Sequence, residues 1–132
     1  MKWTLSLALA FAALPAAAQT ADIPDYVAAA VADPARGEDA KDDERRHIAE
    51  IVAFTEVEPG DTVLELVPGS GYWTQVFSRV VGADGKVYLA VPGPMLKYSE
   101  KTLALPDTLA NTVVLQQAPD ALSAPTPVAV VF

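Results

Sequence analysis

The sequence predicts an α/β fold in which a parallel sheet of about four strands follows a run of N-terminal helices. Two apolar, β-branched segments, Thr62–Leu66 and 86–91, bracket a glycine-rich turn and an amphipathic stretch, Tyr72–Val81. Strand, turn, helix and strand in roughly 30 residues is the size of one right-handed βαβ unit, whose two strands are parallel by construction. Before Thr62 the apolar residues recur at helical spacing, and after residue 91 two further apolar runs return.

Residues 23–32 read as a helix: Pro24 suits a first turn, Val27, Ala30 and Val31 share a side, and Pro34 and Gly37 stop it. A second helix is expected over 39–54, where acids crowd the first turns and Ile48, Ile51, Val52 and Thr55 recur at helical spacing. Glu58, Pro59, Gly60 and Asp61 make a turn. Thr62–Leu66 is mostly apolar, the pattern of a strand covered on both faces. Pro68, Gly69, Ser70 and Gly71 break it. In Tyr72–Val81, Trp73, Val76, Phe77 and Val80 form one stripe, and Gly82 stops the helix. Asp84 and Gly85 lead into the strand at 86–91. Past Pro92, Gly93 and Pro94 the pattern predicts a weak helix over 95–103, a third strand over 112–116, loop over 117–127 and a fourth strand over 128–132.

Composition narrows the chemistry. The chain has 132 residues, no cysteine, one histidine and a net charge of -8. Disulfides, thiolate nucleophiles, Cys-ligated metals and His-rich metal sites are thereby excluded. Nucleic acid is a poor partner for so acidic a chain, because its backbone demands clustered Lys and Arg. The charge is uneven: residues 22–65 carry 13 acids and 4 bases, and residues 66–132 carry 4 of each. Such an acidic run reads as a solvated face.

Part of the 52% apolar content lies in the first residues. Lys2 precedes an uncharged apolar run from Thr4 to Leu14, then Pro15 and the small residues Ala16, Ala17 and Ala18. This is the layout of a secretory leader, cleaved before Gln19. A spanning helix needs about 20 apolar residues, and Pro15, Gln19 and Thr20 stop this one short, so no stable membrane anchor is expected. The expected organisation is a leader over 1–18, a helical segment over 19–58 and a sheet domain over 59–132, in a mature chain of 114 residues and net charge -9. The expected location is extracytoplasmic, a bacterial periplasm.

A glycine-rich turn between a buried strand and a helix lets the backbone approach a ligand closely, and the helix start offers unpaired N–H groups. A nucleoside-triphosphate loop would need Lys after Gly71, where Tyr72 stands. A dinucleotide fingerprint would need a third glycine where Thr74 stands. A third class of protein that uses such a turn binds S-adenosylmethionine. The series Asp61-Thr62-Val63-Leu64-Glu65-Leu66-Val67-Pro68-Gly69-Ser70-Gly71 resembles the first motif of class I S-adenosylmethionine-dependent methyltransferases, in which an acid near the end of the first strand precedes a Gly-x-Gly turn. Gly82-Ala83-Asp84-Gly85-Lys86-Val87-Tyr88 resembles the next helix-to-strand junction of that superfamily. Asp42 to Phe54, Pro59-Gly60-Asp61 and Glu65 to Thr74 together are similar to secreted bacterial methyltransferases without an assigned substrate, a similarity that spans roughly residues 24–132.

The resemblance implies a Rossmann-like methyltransferase fold and a cofactor site formed by Glu65, Val67, Pro68, Gly69, Ser70 and Gly71. The turn would lie against the methionine part and sugar of the cofactor, and Glu65 would help hold its amino group. Gln117 or Asp120, near the third strand, would meet the adenine edge. Three departures stand out. Val67 occupies a position commonly held by glycine. Val91-Pro92-Gly93 lacks the acid that usually binds the ribose hydroxyls. Ala129 stands where the related group carries an acid on the fourth strand. His47, beside Arg45 and Arg46, reads as a surface residue, and Trp73 as core; Tyr72 is a candidate to lie over the cofactor. No catalytic residue and no methyl acceptor can be named. The expectation is therefore the N-terminal, cofactor-side portion of a methyltransferase lacking the acceptor-side half, or else a chain completed by a permanent partner. The open edge of such a sheet would invite self-association. The alternative from another class is a non-catalytic extracytoplasmic binding or structural domain that keeps the turn for packing.

Overall fold

The structure, a computed structural model, describes residues 22–132, so the expected leader lies outside it. Four parallel strands, β1 (Thr62–Leu66), β2 (Lys86–Pro92), β3 (Thr112–Gln117) and β4 (Val130–Val131), form one sheet in the order β3-β2-β1-β4. β1 pairs with β2 in register from Thr62 opposite Lys86 to Leu66 opposite Ala90. The order turns back at β1: the chain steps outward to β2 and β3, then returns to place β4 on the other side. In open α/β sheets, ligands bind outside the carboxyl ends of the strands at such a reversal.

Among the described residues, five α-helices accompany the sheet: α1 (Asp25–Val31), α2 (Asp43–Arg46), α3 (Ile48–Phe54), α4 (Tyr72–Val81) and α5 (Glu100–Leu103). Alternation along the strands points Val63, Val87 and Leu89 into one core with Val76, Phe77, Val80 and Val81 of α4. Val27 and Ala30 of α1 and Ile48 and Val52 of α3 enter the same core, so the N-terminal helices and the sheet share it. Phe77 is fully buried, its ring centroid 5.0 Å from that of Phe132. Trp73 packs against the rim of this core, 5.0 Å from Phe132, as its place on the apolar stripe predicts.

Four expectations need correction. Residues 39–54 are not one helix. Residues Pro34–Asp42 form 3-10 turns, α2 is a single turn, and His47 takes a left-handed conformation (φ 49, ψ 44) that breaks α2 from α3. The helical period of 48–54 is real, because Ile48 and Val52 face the core. Upstream, Asp and Gly residues favour turns over helix, and a long-range polar anchor described below sets the direction. The fourth strand is also shorter than 128–132: only Val130–Val131 is assigned, although Ala129 N–H donates to Thr62 and Phe132 N–H to Leu64. Pro24 caps α1 rather than entering its first turn, and the helix expected over 95–103 is a 3-10 segment, Gly93–Tyr98, parted at Ser99 from the single turn α5. Among the described residues no helix is long and apolar enough to cross a membrane.

Candidate functional site

The turn after β1 occupies the carboxyl edge of the sheet at the reversal. Leu66 N–H donates to Phe132 of the β4 segment, and Val67 N–H donates to Ala90 of β2. The chain leaves the sheet between these two anchors. Val67, Gly69 and Gly71 then all adopt positive φ, at 53°, 62° and 86°. Pro68 is buried, whereas Val67, Gly69 and Ser70 are exposed.

The two glycines answer different demands. A Cβ on Gly71 would come within 2.5 Å of Leu105 Cδ1, so the bare backbone there admits Leu105 against the start of α4. A Cβ on Gly69 would meet nothing within 4 Å. The space over Gly69 is open, and its carbonyl is tied from behind by the Thr102 hydroxyl of α5, which donates to it at 2.5 Å. Val67 has no such excuse for its positive φ: a β-branched residue in the left-handed region is strained, at a cost of about 1–2 kcal/mol.

Glu65 is 2% exposed, and its Oε2 accepts a 2.5 Å hydrogen bond from the Thr74 hydroxyl in the first turn of α4. Burial pushes its carboxyl from the ordinary 4.5 up to about 7, and the Thr74 bond only partly offsets this. The carboxyl is thus held between strand and helix, where burial favours its neutral form.

Beside the turn, Tyr72 is clamped by the N-terminal segment. Its hydroxyl donates to Asp43 Oδ1 at 2.8 Å. Asp43 also accepts two 2.6 Å bonds from the Arg36 guanidinium, which donates further to the Val31 carbonyl. Arg36 is 3% exposed, an uncommon place for arginine without a paired carboxylate. The Arg36 hydrogen bonds hold the Asp43 carboxyl below the usual carboxylate range, and burial, with the Asp43 bond, lifts the Tyr72 phenol to about 12. Arg46 lies over the Tyr72 ring, 4.5 Å from its centroid. Nothing in the acidic run announced this cluster; an arginine seven residues from an aspartate in a loop has no periodic signature. Much of the run is solvated as expected, yet Asp43 and Asp33 are taken by Arg36 and by Arg79 of α4.

Asp120 sits in the exposed turn after β3, on the carboxyl side of the sheet but two strands away from Gly69. Gln117 is occupied locally, exchanging hydrogen bonds with the Ser123 backbone. β2 ends at Pro92 with no acid at its tip. His47 is exposed at the α2–α3 break. Two clefts among the described residues, of about 380 and 440 Å³, are lined by residues around Asn111 and Lys86 and around Tyr26 and Arg79; neither includes Glu65 or the 67–71 turn. Among the described residues no group of three or more acids or histidines could hold a metal ion.

A parallel sheet that reverses at β1, with a positive-φ glycine turn leading from that strand into α4, defines a Rossmann-like methyltransferase fold. It superposes on a protein-L-isoaspartate O-methyltransferase with a TM-score of 0.53 and 25% identity, over 67% of this chain and 28% of that one. A SAM dependent methyltransferase from Aquifex aeolicus gives a TM-score of 0.51 and 26% identity, over 70% of this chain and 51% of that one. The family model described as protein-L-isoaspartate(D-aspartate) O-methyltransferase matches residues 29–105, and the chain belongs to that family. Curated relatives include the ubiquinone/menaquinone biosynthesis C-methyltransferase UbiE of Salmonella arizonae and of Salmonella paratyphi B, each 40% identical over 70 residues, 52% of this chain. The chain spans 28% of the length of these relatives.

Proposed function

We propose that residues 59–132 hold S-adenosylmethionine as the methyl donor of a methyl-transfer reaction, in the 67–71 turn. The observation that carries this reading is Gly69: a positive-φ residue at the carboxyl end of the reversal strand, with open space where a side chain would be. The residues fit the group. The backbone of Gly69 and Ser70 can approach the methionine part closely, Glu65 supplies an anion for its amino group, and the exposed face of Val67 borders the same edge. When bound, the cofactor supplies an already activated methyl on a sulfonium, so the chain's task is positioning more than proton transfer. The acceptor is not inherited from the relatives, whose names specify O-methylation in one case and C-methylation in another.

Gly71 favours a second reading, a domain that keeps the turn for packing, because a side chain there would collide with Leu105. Calorimetric titration with S-adenosylhomocysteine separates the two. Binding by the wild-type chain that is lost in a folded Gly69→Val variant supports the cofactor site; a folded chain that gives no heat at millimolar ligand supports the packing domain. The leader pattern of residues 1–18 supports an extracytoplasmic location. Fusion of residues 1–30 to a reporter active only outside the cytoplasm tests it, and an inactive, cytoplasmic fusion would refute it.

A further inference from the structure

The amino-acid part of the proposed cofactor carries a carboxylate as well as an ammonium. Glu65 answers the ammonium, but nothing yet answers the carboxylate. The surroundings are hostile to it, since residues 22–65 carry 13 acids against four bases. Three of those four bases are used. Arg36 is spent on Asp43 and the Val31 carbonyl, Lys41 on Glu38, and Arg45 on Asp42 through a 2.9 Å bond. Arg46 is different. It meets Asp42 only at 3.8 Å, beyond hydrogen-bond reach, and its Nε is buried with no acceptor.

The position of this guanidinium is set by the fold. It stacks over the ring of Tyr72, the residue that follows Gly71, and the Tyr72 hydroxyl is locked by Asp43. Arg36 approaches the same ring at 5.7 Å. The ring is thus a fixed platform beside the end of the glycine turn, and Arg46, stacked on it, stays partly exposed, 38% accessible. A planar fork of donors with no acceptor, stacked on an aromatic ring, is suited to a carboxylate.

We propose that Arg46 binds the carboxylate of the ligand held at the 67–71 turn, through the accessible end of its guanidinium rather than through the buried Nε. The assignment rests on the cofactor reading above and deepens it, adding a residue from the N-terminal helices to a site otherwise built from the sheet. It also gives the break at His47 a purpose. A continuous helix over 39–54 would carry Arg46 along a different line, whereas the left-handed residue after it ends α2 against Tyr72.

The test uses the full chain and two ligands, S-adenosylhomocysteine and its carboxamide analogue, which lacks only the negative charge. Calorimetric titration should show the wild-type chain preferring the acid by about tenfold or more, the scale of one charge-assisted hydrogen-bonded pair. In Arg46→Met, with its fold checked by circular dichroism, that preference should fall to within about twofold. Arg46→Lys keeps the charge and loses the fork, and should lie between. Retention of the preference in Arg46→Met, or an equal loss of both ligands, overturns the assignment while leaving the cofactor site standing. No binding of either ligand by the wild-type chain overturns both.

Discussion

Single residues in the turn carry strain and space in different proportions. Gly69, Gly71 and Val67 share the left-handed region, yet only Gly71 is demanded by a neighbour, Leu105, and only Gly69 faces open space. Val67 is 44% exposed, so replacing it forfeits little buried area. Val67→Gly removes the left-handed penalty on a β-branched side chain but adds chain entropy to the unfolded state. The balance should raise stability by up to about 1 kcal/mol, measured by urea unfolding. A lower midpoint in the variant would mean that the Val67 side chain has packing that its exposure does not reveal. The motif itself was legible in the sequence, down to the remark that Val67 stands in a glycine's place. The separate reasons for the two glycines were not, because they depend on what lies across the gap.

Elements were legible where periodicity is strong. β1, β2, β3 and α4 fall where the apolar runs and the apolar stripe put them, since β1, β2 and α4 bury their apolar residues in the shared core and Val114 of β3 packs against it. The helix expected over 39–54 failed in its first part, 39–47, because the path there follows one polar cluster. Arg36 reaches Asp43, and Asp43 reaches Tyr72, 29 residues on. Asp43→Asn leaves the buried Arg36 cation without its counter-charge, an expected loss of about 3 kcal/mol in denaturant unfolding. An Asn variant as stable as the wild type would show that Arg36 finds another partner, and the docking of α2 on Tyr72 would need another explanation.

At the scale of the molecule, Glu65 links folding, pH and ligand. Its folded pKa of about 7 stands above the ordinary 4.5, so the carboxyl contributes stability in full below pH 4.5 and loses it as pH rises toward 7. The loss should be on the order of 3 kcal/mol across that window. It should be absent from Glu65→Gln, so that the difference between the two proteins, followed by urea unfolding at pH 4.5 and 7.5, isolates the residue. A pH-independent difference would show that Glu65 ionises as easily as an exposed acid. The lowered carboxyls of Asp33 and Asp43 act in the opposite sense and at lower pH, below their ordinary 3.8, so they leave this window clear.

What the sequence determined by itself was local and periodic: the strands, the helix on the apolar stripe, the glycine turn between them and the methyltransferase resemblance they carry. These follow from side-chain spacing and from glycine's backbone freedom, which act over a few residues. Tertiary structure alone decided the sheet order that reverses at β1, the burial that lifts Glu65 toward neutral pH, and the N-terminal path that brings two arginines to Tyr72. Each of these depends on which distant groups meet and on how much water the meeting excludes, and neither quantity is written in the spacing of residues along the chain.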